Sequence, residues 1–254
     1  MWTSASVEFS CAFAAPRHPG VTPNHRGDRR RRRIGLLGGS FNPAHAGHRH
    51  VAERVRRALR LDEIWLMVSP GNPLKPRAGM APLADRLASA RAIADGRRII
   101  ATDIEARLGT RYTQDTLREL HRRFPRSRFV FVIGADNLVQ LPRWQGWTRL
   151  AARTPIAVLP RPRWTRKALA SKAAKRLARH RRRPGALLAG PPPAHAPSSH
   201  APWAFVPAAE HPASATAIRA AAARAPSRAP APRPAAMRRA MPSPRMQAAA
   251  PAAR

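Results

Sequence analysis

His45 and His48 stand three residues apart inside GGSFNPAHAGH (38–48), a string of three glycines, one proline and two histidines. An imidazole can donate, accept or carry charge near neutral pH, so a close pair is equipped to hold an anion or shift protons. At the start of a helix this spacing puts both rings on one face of the first turn. The string follows the apolar run Ile34-Gly35-Leu36-Leu37 and precedes a segment with helical periodicity. The pattern predicts a strand, a turn and a helix. Such a helix start offers free N–H groups and the positive end of its dipole, which suits a phosphate. Gly38 and Gly39 are expected to let the backbone turn sharply and a ligand approach with no Cβ in the way. Asn42-Pro43 reads as a turn dipeptide, and Gly47 keeps the surface flat between the histidines. There is no Gly-Lys-Ser/Thr of a P-loop and no dinucleotide fingerprint. Helix capping or metal binding would explain a lone His pair; the whole string directly after a strand favours nucleotide binding.

These residues need a scaffold. Short apolar runs recur at IGLL (34–37), EIWLMV (63–68), RRIIAT (97–102), RFVFVI (128–133), PIAVLP (155–160) and WAFVP (203–207). They read as buried strands. Between them, Val51, Val55, Ala58 and Leu59, then Leu83, Leu87, Ala90 and Ala94, then Thr113, Thr116, Leu117 and Leu120 recur at helical spacing. Regular alternation predicts an α/β fold: a doubly wound, Rossmann-like parallel sheet with helices on both faces. Ligands in such sheets bind beyond the carboxyl ends of the strands. The expected division is a disordered basic extension over 1–33, a domain over 34–224 with a Pro-rich linker at about 184–202, and a disordered Ala/Pro/Arg tail over 225–254. TRKALASKAAKRLARHRRR (165–183) reads as a surface helix.

Composition narrows the class. The 254 residues include 47 Lys and Arg against 13 Asp and Glu, a formal charge of +34. The surplus is concentrated in the flanks: beyond Pro160 there are 19 basic residues and one acidic, Glu210. Such charge favours anionic partners. Arg outnumbers Lys 43 to 4, a bias that also follows from a GC-rich genome. The single cysteine, Cys11, excludes an intramolecular disulfide and a Cys-based zinc site. No run of about 18 apolar residues suggests a membrane span. The N-terminus lacks a basic leader before its apolar stretch, so no signal peptide is expected and the predicted setting is cytoplasmic.

The string at 38–48 resembles the G-G-[ST]-F-[DN]-P-x-H-x-G-H signature of the nucleotidyltransferase superfamily. Within it, the chain looks most like the bacterial nicotinate-nucleotide adenylyltransferases, over residues 34–224. PGNPLK (70–75) resembles the family's loop after the second strand, although Leu74 stands where histidine is common; the resemblance implies that Lys75 faces phosphate. RYTQDTL (111–117) resembles the family's S-Y-T-x-x-T-L, which implies that Tyr112 and Thr113 border the nicotinate pocket. IGADNLVQLPRWQGW (133–147) implies that Gly134 and Asp136 face ATP and that Trp144 stacks on the pyridine ring. SATAIR (214–219) implies that Ser214, Thr216 and Arg219 grip ATP phosphates at a helix start. Gly39, Ser40 and Phe41 of the first string, and Arg161 after the fifth strand, are expected on the same ATP and phosphate side. On residue type alone, Asp136 also reads as a helix cap, Trp144 as core and Lys75 as a solvated surface charge.

The reaction implied is adenylyl transfer from ATP to nicotinate mononucleotide. A phosphate nucleophile needs no general base, so catalysis reduces to positioning and charge neutralisation. His45 and His48 are the expected catalytic pair, with Mg²⁺ arriving on ATP. Two alternatives stay open at this level. One is a related transferase such as phosphopantetheine adenylyltransferase. The other is a basic RNA-binding protein on a nucleotide-binding fold; nucleic acid otherwise enters only as non-specific binding by the tails.

Overall fold

The computed structural model describes residues 22–71, 79–189, 200–208, 215 and 218–220. In chain order it contains β1 (Arg33–Gly39), α1 (Ala46–Ala58), β2 (Glu63–Val68), α2 (Leu83–Ile93), β3 (Ile99–Thr102), α3 (Ile104–Arg107), α4 (Thr113–Arg123), β4 (Arg128–Gly134), α5 (Ala135–Gln140), α6 (Trp147–Arg153), β5 (Ile156–Leu159), α7 (Thr165–Leu169), α8 (Lys172–Arg176) and β6 (Trp203–Phe205). The six strands form one parallel sheet in the order β3-β2-β1-β4-β5-β6. The winding reverses between β1 and β4, where Leu36 lies opposite Phe131. Crossovers diverge to opposite faces there and leave a crevice at the strands' carboxyl ends.

Strand side chains alternate between the two faces. In β4, Phe129, Phe131 and Ile133 join one core cluster with residues of α4, α5, α6 and α8. Val130 and Val132 join the other, with residues of α1 and α2. All five are almost fully buried. Each such side chain contributes about 1.5–3 kcal/mol by leaving water. The apolar runs are continuous because both faces are covered.

Three expectations are corrected. Residues 22–32, assigned to a disordered extension, are held against the domain. Arg123 donates to the His25 carbonyl at 2.7 Å, and Ser127 to the Arg30 carbonyl at 3.0 Å. The basic stretch at 165–183 is not one surface helix. It breaks at Ser171, whose hydroxyl oxygen caps α8 by accepting the Ala174 N–H at 3.2 Å. Ala168, Ala173, Ala174 and Leu177 are buried in the core. The alanines leave room for close packing, while the charges stay outside. Within the expected linker, Leu187 and Leu188 are also core, and Ala201 donates to the Ala151 carbonyl at 2.8 Å. Among the described residues no helix is long and apolar enough to cross a membrane.

Candidate active site

The histidine turn sits at the switch point. Gly38 and Gly39 belong to β1 rather than to the turn itself. The backbone reverses at Phe41, which has φ 46° while its ring is buried. That left-handed conformation costs energy for a non-glycine residue and persists only where surroundings fix it. A Cβ on Gly39 would come within 3.2 Å of the Phe41 ring, so the floor of the turn is open because the glycine is there. The Asn42–Pro43 peptide is cis. The Asn42 amide donates to the Gly79 carbonyl at 2.8 Å, and its oxygen accepts the Ala81 N–H at 3.2 Å.

His45 is the N-cap of α1 in extended conformation, and His48 lies three residues on. His48 Nδ1 accepts the His45 N–H at 3.2 Å, and the ring centroids are 3.9 Å apart. Accepting at Nδ1 leaves the proton of the neutral imidazole on Nε2. His48 also packs against Phe41, with centroids 4.9 Å apart. Burial pushes its pKa from the ordinary 6.5 down to about 3, helped by the charges of His45 and Arg161. The site therefore holds a neutral N–H donor beside cationic groups.

On the β4 side, the N-cap of α5 is Gly134, and Asp136 does not cap the helix through its side chain. Asp136 Oδ1 is buried without a hydrogen-bond partner among the described residues, 3.8 Å from Arg161 Nε. A buried acceptor left open in this way suits a ligand donor. A Cβ on Gly134 would lie 2.4 Å from Asp136 Oδ1 and 3.1 Å from Arg161 Nε. Arg219 reaches the turn from the far end of the chain, donating to the Asn42 carbonyl at 2.6 Å.

A cleft of about 330 Å³ opens beside the turn. Gly38, Gly39 and Ser40 line it together with Tyr112, Thr113 and Trp144. Tyr112 is the N-cap of α4 and Thr113 its first residue. Trp144 follows a 3₁₀ turn, Leu141–Arg143, and meets Phe131 edge-on with centroids 6.1 Å apart. The structure thus gathers His45, His48, Asp136, Arg161 and Arg219 around the turn, and Tyr112, Thr113 and Trp144 in the adjoining cleft. Lys75, Ser214 and Thr216 lie outside the described residues.

Two residues of this region were missed by sequence reasoning. Arg86 on α2 is almost fully buried. It donates to the carbonyls of Ser40 at 2.8 Å, Ser69 at 2.7 Å and Ala81 at 2.8 Å. It thereby ties together the loops after β1 and β2. Its signal was present: an arginine on the apolar stripe of Leu83, Leu87 and Ala90. Glu105 lines the cleft, and the Thr116 hydroxyl donates to it at 3.4 Å. Burial raises its carboxyl pKa, opposed by hydrogen bonds from Ser69 and Thr116. Nothing in its local sequence marks it.

A cytidylyltransferase-like family model matches residues 36–221. A probable nicotinate-nucleotide adenylyltransferase of Gluconobacter oxydans is 66% identical over 152 residues, covering 60% of this chain and 77% of that protein. One from Gluconacetobacter diazotrophicus is 60% identical over 156 residues, covering 61% and 73%. A solved Plasmodium falciparum nicotinic acid mononucleotide adenylyltransferase, complexed with NaAD, shares the fold at TM-score 0.54 and 16% identity. That match covers 74% of this chain and 83% of that one.

Proposed function

We infer the reaction from family membership: this chain belongs to the cytidylyltransferase-like family and, within it, to the nicotinate-nucleotide adenylyltransferases. It transfers the adenylyl group of ATP to nicotinate mononucleotide. An oxygen of the acceptor's 5′-phosphate bonds to the α-phosphorus of ATP. The bond from that phosphorus to the bridging oxygen breaks, and pyrophosphate leaves with the electron pair. The products are nicotinate adenine dinucleotide and pyrophosphate.

One observation carries the site assignment: a neutral, buried His48 with its Nδ1 occupied, set between an arginine and an aromatic cleft. Its Nε2–H is oriented before any ligand arrives, which is what stabilising charge in a transition state requires. An incoming phosphate offsets the burial that keeps the ring neutral, so the imidazole can gain positive character as pyrophosphate departs. His45 holds the same phosphates from the helix start. Gly39, Ser40 and Phe41 shape the floor over which they lie. Arg161, Arg219 and Lys75 neutralise the triphosphate, joined by Ser214 and Thr216. Gly134 leaves room for Asp136, whose open oxygen accepts from the ATP ribose. Tyr112, Thr113 and Trp144 hold the pyridine ring.

Among the described residues no three His, Cys, Asp or Glu side chains converge as a metal site. The donor set fits Mg²⁺ carried in as part of the MgATP substrate, with Asp136 the carboxylate nearest the turn. The nucleotide substrates place the enzyme in the cytoplasm.

The test is pyrophosphate release by the full-length chain with MgATP and nicotinate mononucleotide, nicotinamide mononucleotide or phosphopantetheine. Release with the nicotinate form is expected to be fastest. Turnover of phosphopantetheine in preference would overturn the acceptor, and no release from folded protein would overturn the reaction.

A further inference from the structure

Two segments of the cleft's lining repeat one pairing of residue types. Arg111 precedes Tyr112, and its guanidinium carbon lies 5.7 Å from the centre of the Tyr112 ring. Arg143 precedes Trp144 at the end of the 3₁₀ turn. Both arginines line the cleft, and neither has an ion-pair partner among the described residues. Glu105 is the one carboxylate on the described lining, and it is engaged by Thr116.

A flat ring lying against Trp144 puts its exocyclic group within the field of these cations. A carboxylate and a carboxamide have nearly the same shape, so packing alone separates them poorly. Charge separates them well. A guanidinium attracts the carboxylate and can donate to it in a bidentate fork. It has no acceptor for an amide NH₂, so it also disfavours the neutral analogue.

We infer that Arg111 and Arg143 are specificity residues, selecting an acceptor mononucleotide whose ring carries a carboxylate over one carrying a carboxamide. The inference rests on the reaction proposed above and assigns its acceptor selectivity to these two side chains. Both are exposed to solvent, so the selection weakens as salt screens them.

The experiment measures kcat/KM of the full-length chain for nicotinate and nicotinamide mononucleotides with MgATP. It compares wild type, Arg111→Ala, Arg143→Ala, the double variant and Arg118→Ala. The acid-to-amide ratio is expected to fall at least tenfold in the double variant and with rising salt in the wild type. Arg118, an exposed arginine on α4 paired with Asp115, controls for general loss of charge, and its variant should keep the ratio. A loss shared equally by both acceptors, with the ratio within twofold of wild type, overturns the inference and makes the arginines structural. Calorimetric binding of each mononucleotide without ATP separates the two levels of the claim. A chain that adenylates neither acceptor sinks the reaction. The binding ratio then still decides whether the arginines select the acid.

Discussion

The backbone N–H of His45 donates to Nδ1 of His48 at 3.2 Å, closing a ring in which the first histidine's main chain sets the second one's tautomer. Because Nδ1 is occupied, the donor at Nε2 is fixed by the backbone rather than by solvent. The helix start supplies both the anion site and the orientation of the side chain that serves it.

His48→Ala is expected to lower kcat by at least about a hundredfold, the size of losing one preorganised donor. Circular dichroism should show an unchanged fold. Turnover close to that of the wild type would remove His48 from the chemistry.

Stability should fall as pH drops below about 6.5. Burial holds both His48 and His121 neutral, with pKa values lowered to about 3 and about 4. The unfolded chain binds protons on both near 6.5, and the folded chain does not. Stability is therefore full above that value, and each histidine costs about 1.4 kcal/mol per pH unit below it until its folded pKa is reached. Glu105, with its raised pKa, acts in the opposite sense, so the comparison is made by difference. His121→Gln preserves a partner for the Thr154 hydroxyl, which lies 3.0 Å from His121 Nε2. Urea unfolding between pH 7 and 5 should show a shallower loss in this variant; identical slopes would refute the assignment.

Arg86→Lys keeps the charge but cannot serve three separate carbonyls. Each buried carbonyl left unpaired costs about 1–3 kcal/mol. The variant should unfold at lower urea and show a raised KM for both substrates, because the loops after β1 and β2 shift together. A stability loss with unchanged kinetics would limit Arg86 to the core.

Gly134→Ala introduces a Cβ where Asp136 and Arg161 converge. It should raise KM for ATP at least tenfold and leave that for the acceptor nearly unchanged. An equal effect on both would place this pair outside the ATP half of the site.

Trp144→Ala should raise KM for the acceptor about tenfold or more, while Trp144→Phe retains much of the affinity through its ring. The KM for ATP serves as the internal control. Equal behaviour of the two variants would mean that Trp144 serves packing against Phe131 alone.

The sequence by itself determined the parallel sheet, because runs buried on both faces must be continuously apolar, as EIWLMV and RFVFVI are. It also determined the turn bearing His45 and His48, since that chemistry is encoded in consecutive residues. The tertiary structure decided what depends on distance across the chain. Arg219 meets Asn42, Asp136 meets Arg161, and Arg86 reaches three loop carbonyls only because crossovers bring their elements to the same sheet edge. Periodicity reports which face of an element is buried. It carries no record of which carbonyl a buried arginine will find, or that the alanines of 165–183 would pack into the core behind a charged exterior. It likewise placed the turn at the glycines, whereas packing of the Phe41 ring holds that residue in the left-handed conformation.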